Sequence, residues 1–172
     1  DDTLYTPELN LSSVVVGYTV LNTAPQVTNV TMNSTSGFNY SNSSLQTYWK
    51  IWDADGDSES ASWTWWWKDG VKQSALENES SITANNLSKN EKWNMSVRLY
   101  DSLDWSNWSG NVSVTVANTP PNYTLLTPTD AQLLLRSVSP LLNVSFTDPD
   151  SDPINVSFIN DSDDVILCQV NN

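Results

Sequence analysis

Acidic side chains at alternate positions are the residues of this chain that are best suited to bind a ligand, in this case a metal ion. The segment DADGDSE at 53–59 spaces Asp53, Asp55 and Asp57 two residues apart and places a glycine among them. Carboxylate oxygens around a sharp turn suit calcium, although the bidentate glutamate of an EF-hand loop is missing. A solvated acidic turn, which is common in very acidic proteins, is the alternative interpretation.

The same spacing returns in DPDSDP at 148–153, and the segment DSLDWSNWSG at 101–110 adds further carboxylates. In a β-sandwich the 53–59 and 101–110 loops lie at the same end, close to the linker at 22–25. Carboxylates that converge there repel one another unless water or a cation separates them. The sequence therefore predicts calcium that stiffens the junction between successive units, with these candidate ligands: Asp53, Asp55, Asp57, Asp101, Asp104, Asp148, Asp150 and Asp152.

Catalysis has little support in the composition. The chain has no histidine and a single cysteine, which removes the commonest general base and the nucleophiles that depend on it. Asp101 and Asp104 are paired carboxylates of the kind that hydrolyse glycosidic bonds, but no cleft is predicted around their loop. The protein is therefore predicted not to be an enzyme.

The charge of the chain excludes several partners. The formal net charge is -13 with 7 Lys+Arg, so nucleic acids and anionic membranes are poor partners because both bind basic surfaces. No apolar run approaches the roughly 20 residues of a membrane-spanning helix. Cys168 is the single cysteine and cannot form an internal disulfide. Because the chain begins with Asp1 and has no signal-like segment, we expect it to be processed or cut from a longer chain.

Asparagine provides the strongest compositional signal. Of 20 asparagines, 14 open an Asn-x-Ser/Thr triplet, whereas the Ser and Thr content predicts about five by chance. Some triplets of a Ser/Thr/Asn-rich exported chain are expected to stay unmodified. Dense N-glycosylation of an extracellular chain is the favoured interpretation, because it requires export and surface exposure. The candidate sites are Asn10, Asn29, Asn33, Asn39, Asn42, Asn78, Asn86, Asn94, Asn107, Asn111, Asn122, Asn143, Asn155 and Asn160.

An internal repeat organises the chain. VVVGYTVLNTAPQVTNV aligns with VSVTVANTPPNYTLL at an offset of about 96, and WKIWDADGDSESASW aligns with VSFTDPDSDPINVSF at about 95. Units of this size, made of short alternating segments, predict an all-β protein of tandem immunoglobulin-like sandwiches. We expect an N-terminal strand segment at 1–22, a complete sandwich at 23–118 and a partial second sandwich at 119–172.

Alternation along the predicted strands assigns faces to the side chains. The inward sets are Leu45, Thr47, Trp49 and Ile51, then Trp93, Met95, Val97 and Leu99, then Val112, Val114 and Val116, and in the second unit Leu142, Val144, Phe146, Ile154, Val156 and Phe158. Asn94, Ser96, Arg98 and Tyr100 are predicted to point outward. Four candidate glycosylation sites fall on outer faces, namely Asn94, Asn111, Asn143 and Asn155.

Four tryptophans crowd the segment SWTWWWKDG at 62–70. WWKDG resembles the passage between the third and fourth strands of immunoglobulin-like domains. This resemblance implies that Trp66 lies in the core with Thr64 and Ser62, and that the opposite face carries Trp63, Trp65 and Trp67. Periodicity alone also permits the reverse phase. On the outside, the three indoles predict a surface for a protein contact or for stacking on glycans.

Several motifs together resemble a known group. The Asn-Thr-Ala/Pro-Pro linkers, the DADGD and DPDSDP loops and the segment VRLYDSLDWSNWS are similar to the tandem immunoglobulin-like, PKD-like and fibronectin-III-like repeats of large archaeal surface proteins. The resemblance implies an extracellular or cell-surface location, covalent N-glycans and no catalytic residues. Such repeats serve as spacers, adhesins, envelope coats and filament subunits.

The incomplete second unit is the basis for a functional hypothesis. Its apolar side chains are expected to lack cover, and a neighbouring copy could supply a strand through Leu11, Val14, Val16, Tyr18 and Val20. Repeated head to tail, this exchange gives a homopolymeric filament or surface layer. The alternative is a fragment of a long surface repeat protein that acts as an adhesin or carbohydrate-binding stalk, with glycans or other surface proteins as partners.

Overall fold

The computed structural model of the chain describes residues 19–128, 141–160 and 164–171, and these residues are all-β. The all-β class predicted from the sequence is confirmed. The described helices are two three-residue 3-10 turns, so none of them could cross a membrane. The strands are β1 Gln26–Ser34, β2 Leu45–Trp52, β3 Ala61–Lys68, β4 Val71–Lys72, β5 Ser81–Ile82, β6 Lys92–Tyr100, β7 Val112–Thr115, β8 Asn122–Thr127, β9 Asn143–Thr147, β10 Asn155–Asn160 and β11 Val165–Asn171.

Strands β1 to β7, at residues 26–115 and called the first unit below, form two antiparallel sheets of strand order β1-β2-β5 and β4-β3-β6-β7. Strands β3 and β6 pair over eight positions, from Ala61 opposite Tyr100 to Lys68 opposite Trp93. Asp69 and Gly70 join β3 to β4 as a two-residue turn, and both have positive φ. That conformation matches the twist of a tight hairpin and explains the Asp-Gly pair.

The core of the first unit lies between the two sheets. Strands of both sheets contribute to one buried cluster, which consists of Met32, Leu45, Trp66, Ile82, Leu87, Trp93, Met95, Val97, Leu99, Val114 and Val116. The predicted inward sets of β2, β6 and β7 are thus confirmed, with Trp49, Ile51 and Val112 packed at the margin of the cluster. Ser96 departs from the prediction, because it lies on the outer face and is nevertheless buried.

Trp66 occupies the centre of this core. Its side chain is 0 % exposed, and its Nε1 donates a hydrogen bond to the Glu79 carbonyl at 2.8 Å. The Thr64 hydroxyl donates to the same carbonyl at 2.8 Å, so both buried polar groups are satisfied. The phase implied by the resemblance is confirmed for Trp66 and Thr64, whereas Ser62 is only half-buried.

Strands β8 to β11, called the second unit below, form two strand pairs among the described residues, β8 with β9 and β10 with β11. Alternate side chains of β9 and β10 are half-buried, as predicted, and the intervening ones are exposed. The half-buried set lines an apolar cleft of about 370 Å³ together with Leu125. Cys168 lies on β11 and is exposed.

Most of the predicted exchange segment lies outside the described residues. Leu11, Val14, Val16 and Tyr18 belong to that part of the chain, and Val20 is 84 % exposed. The role of these residues in strand exchange stays a prediction.

Replacement of Trp66 by alanine tests the central position of this indole. We expect Trp66→Ala to lower the free energy of unfolding by about 3–5 kcal/mol, because it leaves a cavity between the sheets. Trp52→Ala is the matched control, since Trp52 is 53 % exposed and its loss should cost about 1 kcal/mol or less. Urea unfolding followed by circular dichroism measures both values, and equal losses would contradict the assignment.

Candidate functional site

The first acidic loop binds the linker that enters the first unit. The Asp53 carboxylate accepts hydrogen bonds from the backbone N–H groups of Asp55 at 2.8 Å and Asp57 at 3.2 Å. This turn presents the Asp55 carboxylate to the backbone N–H of Thr23, which donates to it at 2.7 Å. Asp53 therefore shapes the loop, and Asp55 attaches the linker to it.

The second acidic loop repeats this arrangement at the junction between the two units. Asp148 accepts from the N–H groups of Asp150 at 2.8 Å and Asp152 at 3.1 Å. The backbone N–H of Thr119 donates to Asp150 at 2.6 Å. The repeat seen in the sequence therefore corresponds to the same set of hydrogen bonds at two places.

Asn22 brings two further predicted ligands together at the first loop. Its Nδ2 donates to Asp101 Oδ2 at 3.1 Å and to Asp104 Oδ2 at 3.0 Å. Asp101 Oδ1 also accepts from the backbone N–H groups of Asp104 and Leu103, each at 2.7 Å. The hydrogen bond from the Asp104 backbone, followed by those from Asn22 and Leu103, holds the pKa of the Asp101 carboxyl below its ordinary value, against its burial. Asp101 is therefore charged at neutral pH.

The contact of the 22–25 linker with the acidic loops at 53–59 and 101–110 is called the first junction below. Two of its oxygen atoms are of the kind that bind a hard cation such as calcium. Asn22 Oδ1 and Asp53 Oδ2 are buried and have no hydrogen-bond partner among the described residues. Both are carbonyl or carboxylate oxygens, which calcium prefers. No ion pair in the described part of the chain involves the acidic side chains of this junction.

The carboxylates of the second junction lie close enough together to share a metal ion, but a lysine ammonium already pairs with one of them. Oxygen atoms of Asp148, Asp150 and Asp152 lie within 4.8 Å of one another. Lys89 of the first unit forms an ion pair with Asp152. With its amide turned to donate, Asn118 reaches Asp150 Oδ2 at 3.2 Å and Asp152 Oδ2 at 2.6 Å. A metal ion there would have to displace the Lys89 ammonium from Asp152.

The outer face of β3 carries the three predicted indoles, and each of them is half-buried. Trp65 stacks on Trp108 with ring centroids 3.9 Å apart and planes at 22°. The Lys72 ammonium lies 4.0 Å from the centroid of the Trp65 ring. Two groups this close to one ring must occupy opposite faces, so neither face of Trp65 is free to stack on a sugar.

Arg98 of β6 packs against Trp108 and so extends the row of stacked groups that begins at Lys72 and Trp65. Its guanidinium carbon lies 4.4 Å from the ring centroid of Trp105, 5.0 Å from that of Trp108 and 5.7 Å from that of Trp63. Trp105 stacks in turn on Tyr100 at 4.9 Å. No carboxylate of the described residues forms an ion pair with Arg98, and its guanidinium lies against three indole rings.

Two serines of the 105–109 loop attach it to β6. The Ser106 N–H donates to the Leu99 carbonyl at 2.8 Å, and its hydroxyl accepts from the Leu99 N–H at 2.9 Å. Ser109 makes the same pair of bonds with Val97, at 2.8 and 3.0 Å. Each serine thus forms the N–H and carbonyl hydrogen bonds with β6 that a residue of a paired strand would form. The loop also covers Ser96, which is buried beneath it. This role was not predicted from the sequence. Its signal is the three-residue spacing of Trp-Ser in WSNWS at 105–109, which follows β6 and the single arginine on its outer face.

The predicted glycosylation sites are found on the surface of the described residues. Ten of their asparagine side chains are exposed, and Asn39 and Asn94 are half-buried. Asn29, Asn39 and Asn78 have the positive φ typical of asparagine in turns. Asn10 lies outside the described residues, as does the side chain of Asn160.

Comparisons with known proteins give no relative for this chain. No family model, curated protein or solved structure matches it.

Arg98 offers a direct test of the aromatic stack. We expect Arg98→Met to lower the free energy of unfolding by about 1–3 kcal/mol, because desolvated cation–π contacts and guanidinium packing are lost. Near-ultraviolet circular dichroism of the tryptophans should change at the same time. Arg98→Lys should be intermediate, because it keeps the charge but not the planar group. Lys50→Met, on the exposed face of β2, should leave both readouts unchanged, and an equally small effect at Arg98 would contradict this account.

Proposed function

We propose that this protein is a structural component of a glycosylated extracellular filament or surface layer, built from tandem immunoglobulin-like units. The observation that carries the proposal is the repeated junction, in which a linker threonine N–H binds the middle aspartate of an acidic loop, at 2.7 Å for Thr23 and 2.6 Å for Thr119. A bound linker orients one unit on the next, as a rod or spacer requires. The absence of histidine from the chain agrees with a structural role.

The strand order supports the immunoglobulin-like assignment. Sheet β1-β2-β5 has the order of strands A, B and E, and sheet β4-β3-β6-β7 that of C′, C, F and G. Within this assignment the acidic loop at 53–59 joins strands B and C, and the loop at 101–111 joins F and G. The two loops then meet the entering linker at one end of the sandwich.

Glycosylation is the second part of the proposal, and the exposed asparagines support it. In the modification, Asn Nδ2 bonds to C1 of a phosphate-activated sugar, the phosphate carrier leaves with the electron pair of the C1–O bond, and the amide loses one proton. Sugars on many faces would keep the sheets of an acidic filament hydrated and resist unwanted edge pairing.

Calcium is the third part of the proposal. At the first junction the candidate ligands are Asn22 and the carboxylates of Asp53, Asp55, Asp57, Asp101 and Asp104. No three of these carboxylates have oxygens within 4.8 Å of one another, so an ion would have to draw them together. At the second they would be Asn118, Asp148, Asp150 and Asp152. Bound calcium would neutralise converging negative charge and hold the linker against the loop. The protein residues already position the linker through backbone hydrogen bonds, so the ion would add stiffness rather than create the contact.

Calorimetric titration of CaCl₂ into the full chain tests this site. Extracellular calcium modules have dissociation constants of about 10⁻⁴–10⁻³ M, and we expect a value in that range with a higher midpoint of thermal unfolding. Asp53→Asn should weaken binding at the first junction about tenfold, because the amide retains Oδ1 for the two backbone N–H groups and removes the charge. Glu79→Gln, whose side chain is exposed, is the control. No heat and no thermal shift at about 10 mM calcium, roughly tenfold above the dissociation constant of the weakest such sites, would exclude calcium.

Assembly by strand complementation is supported by the apolar cleft of the second unit. Val144, Phe146, Val156 and Phe158 line it from two strand pairs. We propose that residues 11–20 of a neighbouring copy add a strand there, because alternate apolar side chains of that segment suit such a cleft. Successive additions would form an open filament.

Electron microscopy of the native protein tests the filament. We expect filaments from the full chain and none after deletion of residues 1–18, which keeps Asn22 and the first junction. Phe158→Asp should also abolish them, because it places a charge in the cleft. Ile159→Asp is the matched control, since Ile159 is 54 % exposed on the opposite face. Monomers from the full chain, or filaments from the deletion, would contradict strand complementation.

A further inference from the structure

Trp67 lies on the outer face of β3, and no residue of the 105–109 loop stacks on its ring. Opposite Trp63 and Trp65 in register lie Arg98 and Ser96, where the loop is attached. Opposite Trp67 lies Asn94, beyond the last hydrogen bonds between the loop and β6. Trp67 makes a T-shaped contact with Trp65, with planes at 87° and centroids 6.2 Å apart. Among the described residues no ring or cation stacks on a face of Trp67.

Asn94 is placed to deliver a covalent group to that ring. It opens the triplet Asn94-Met95-Ser96 and is half-buried on the outer face of β6. Residues directly opposite on antiparallel strands have Cβ atoms about 4.5–5.5 Å apart. The Asn94 amide has no hydrogen-bond partner in the described part of the chain, and the buried unsatisfied atoms there belong to other residues. Solvent therefore reaches this amide beside the Trp67 ring.

We propose that the first sugar of a glycan on Asn94 packs against the Trp67 ring. The inference rests on the proposed glycosylation and names the group that covers the indole. The C–H face of a pyranose is apolar and complements an aromatic face, which is electron-rich. Covalent attachment to the neighbouring strand supplies a high effective concentration, so a weak contact suffices. Trp67 is then a glycan-positioning residue, and the sugar completes the stack that Lys72, Trp108 and Arg98 form over the rest of the face.

Asn111 provides a matched comparison on the same sheet. It also opens a triplet and precedes β7 directly, but its side chain is exposed. None of the indoles paired in the β3–β6 register lies opposite it. A sugar on Asn111 should therefore extend into solvent and contribute little to stability.

The test uses the full chain made in cells that attach N-acetylglucosamine-based glycans, trimmed enzymatically to one N-acetylglucosamine per site. Peptide mass spectrometry first measures occupancy at Asn94. We expect Asn94→Gln to lower the midpoint of thermal unfolding by about 3 °C, since an aromatic contact of this size shifts a small domain by a few degrees. Asn111→Gln should shift it by less than about 1 °C. In a Trp67→Leu background the effect of Asn94→Gln should disappear.

Two further measurements separate packing from other causes. In a host without N-glycosylation, the wild type, Asn94→Gln and Asn111→Gln should share one midpoint, because no sugar is present to lose. Asn94→Gln should likewise cause no shift there in the Trp67→Leu background. In the wild-type glycoprotein, nuclear Overhauser effects should connect sugar C–H protons to one indole ring, and Trp67→Leu should remove them. An unoccupied Asn94 overturns this inference and the glycosylation proposed at that site. An occupied Asn94 without these contacts, or with an equal loss in the Trp67→Leu background, overturns only the packing.

Discussion

The pairing of β3 with β6 is the constraint on which the rest of the first unit depends. Because side chains alternate, one set of paired residues faces the core and includes Trp66 opposite Met95. The other set faces outward and includes Trp63 opposite Arg98. A shift of one residue would put the core set of one strand on the same face as the outer set of the other. It would therefore either expose Trp66 or bury Arg98 without a carboxylate. The same register thus fixes the core, the aromatic stack and the place of Asn94 beside Trp67.

Local periodicity made part of this structure predictable. The two-residue alternation of β2, β6 and β7 identified the inward side chains. The resemblance of WWKDG to a passage between two strands agrees with the turn at Asp69 and Gly70 between β3 and β4. The two acidic loops were found because their spacing repeats. These features depend on neighbours in sequence, and short-range rules describe them well.

Other features depend on contacts that sequence spacing does not encode. The burial of Ser96 results from a loop that closes over it, with its hydroxyl 2.8 Å from the Ser109 carbonyl. Alternation along β6 placed Ser96 on the correct face but could not predict that the 105–109 loop packs over it. Likewise, the count of carboxylates suggested a common metal cage at the first junction, whereas Asp55 binds the linker and Asn22 joins Asp101 to Asp104. Backbone N–H groups compete with any cation for the same oxygens.

The bound linkers have a mechanical consequence. Thr119 is buried and its hydroxyl lies 2.8 Å from that of Ser41 in the preceding unit, while its N–H contacts Asp150 in the next. A chain pulled from its ends therefore has little slack between these units. Bending at this junction must therefore stretch the Thr119–Asp150 hydrogen bond and the Lys89–Asp152 ion pair. In the array proposed above, such junctions would resist bending through these contacts as well as through the covalent chain.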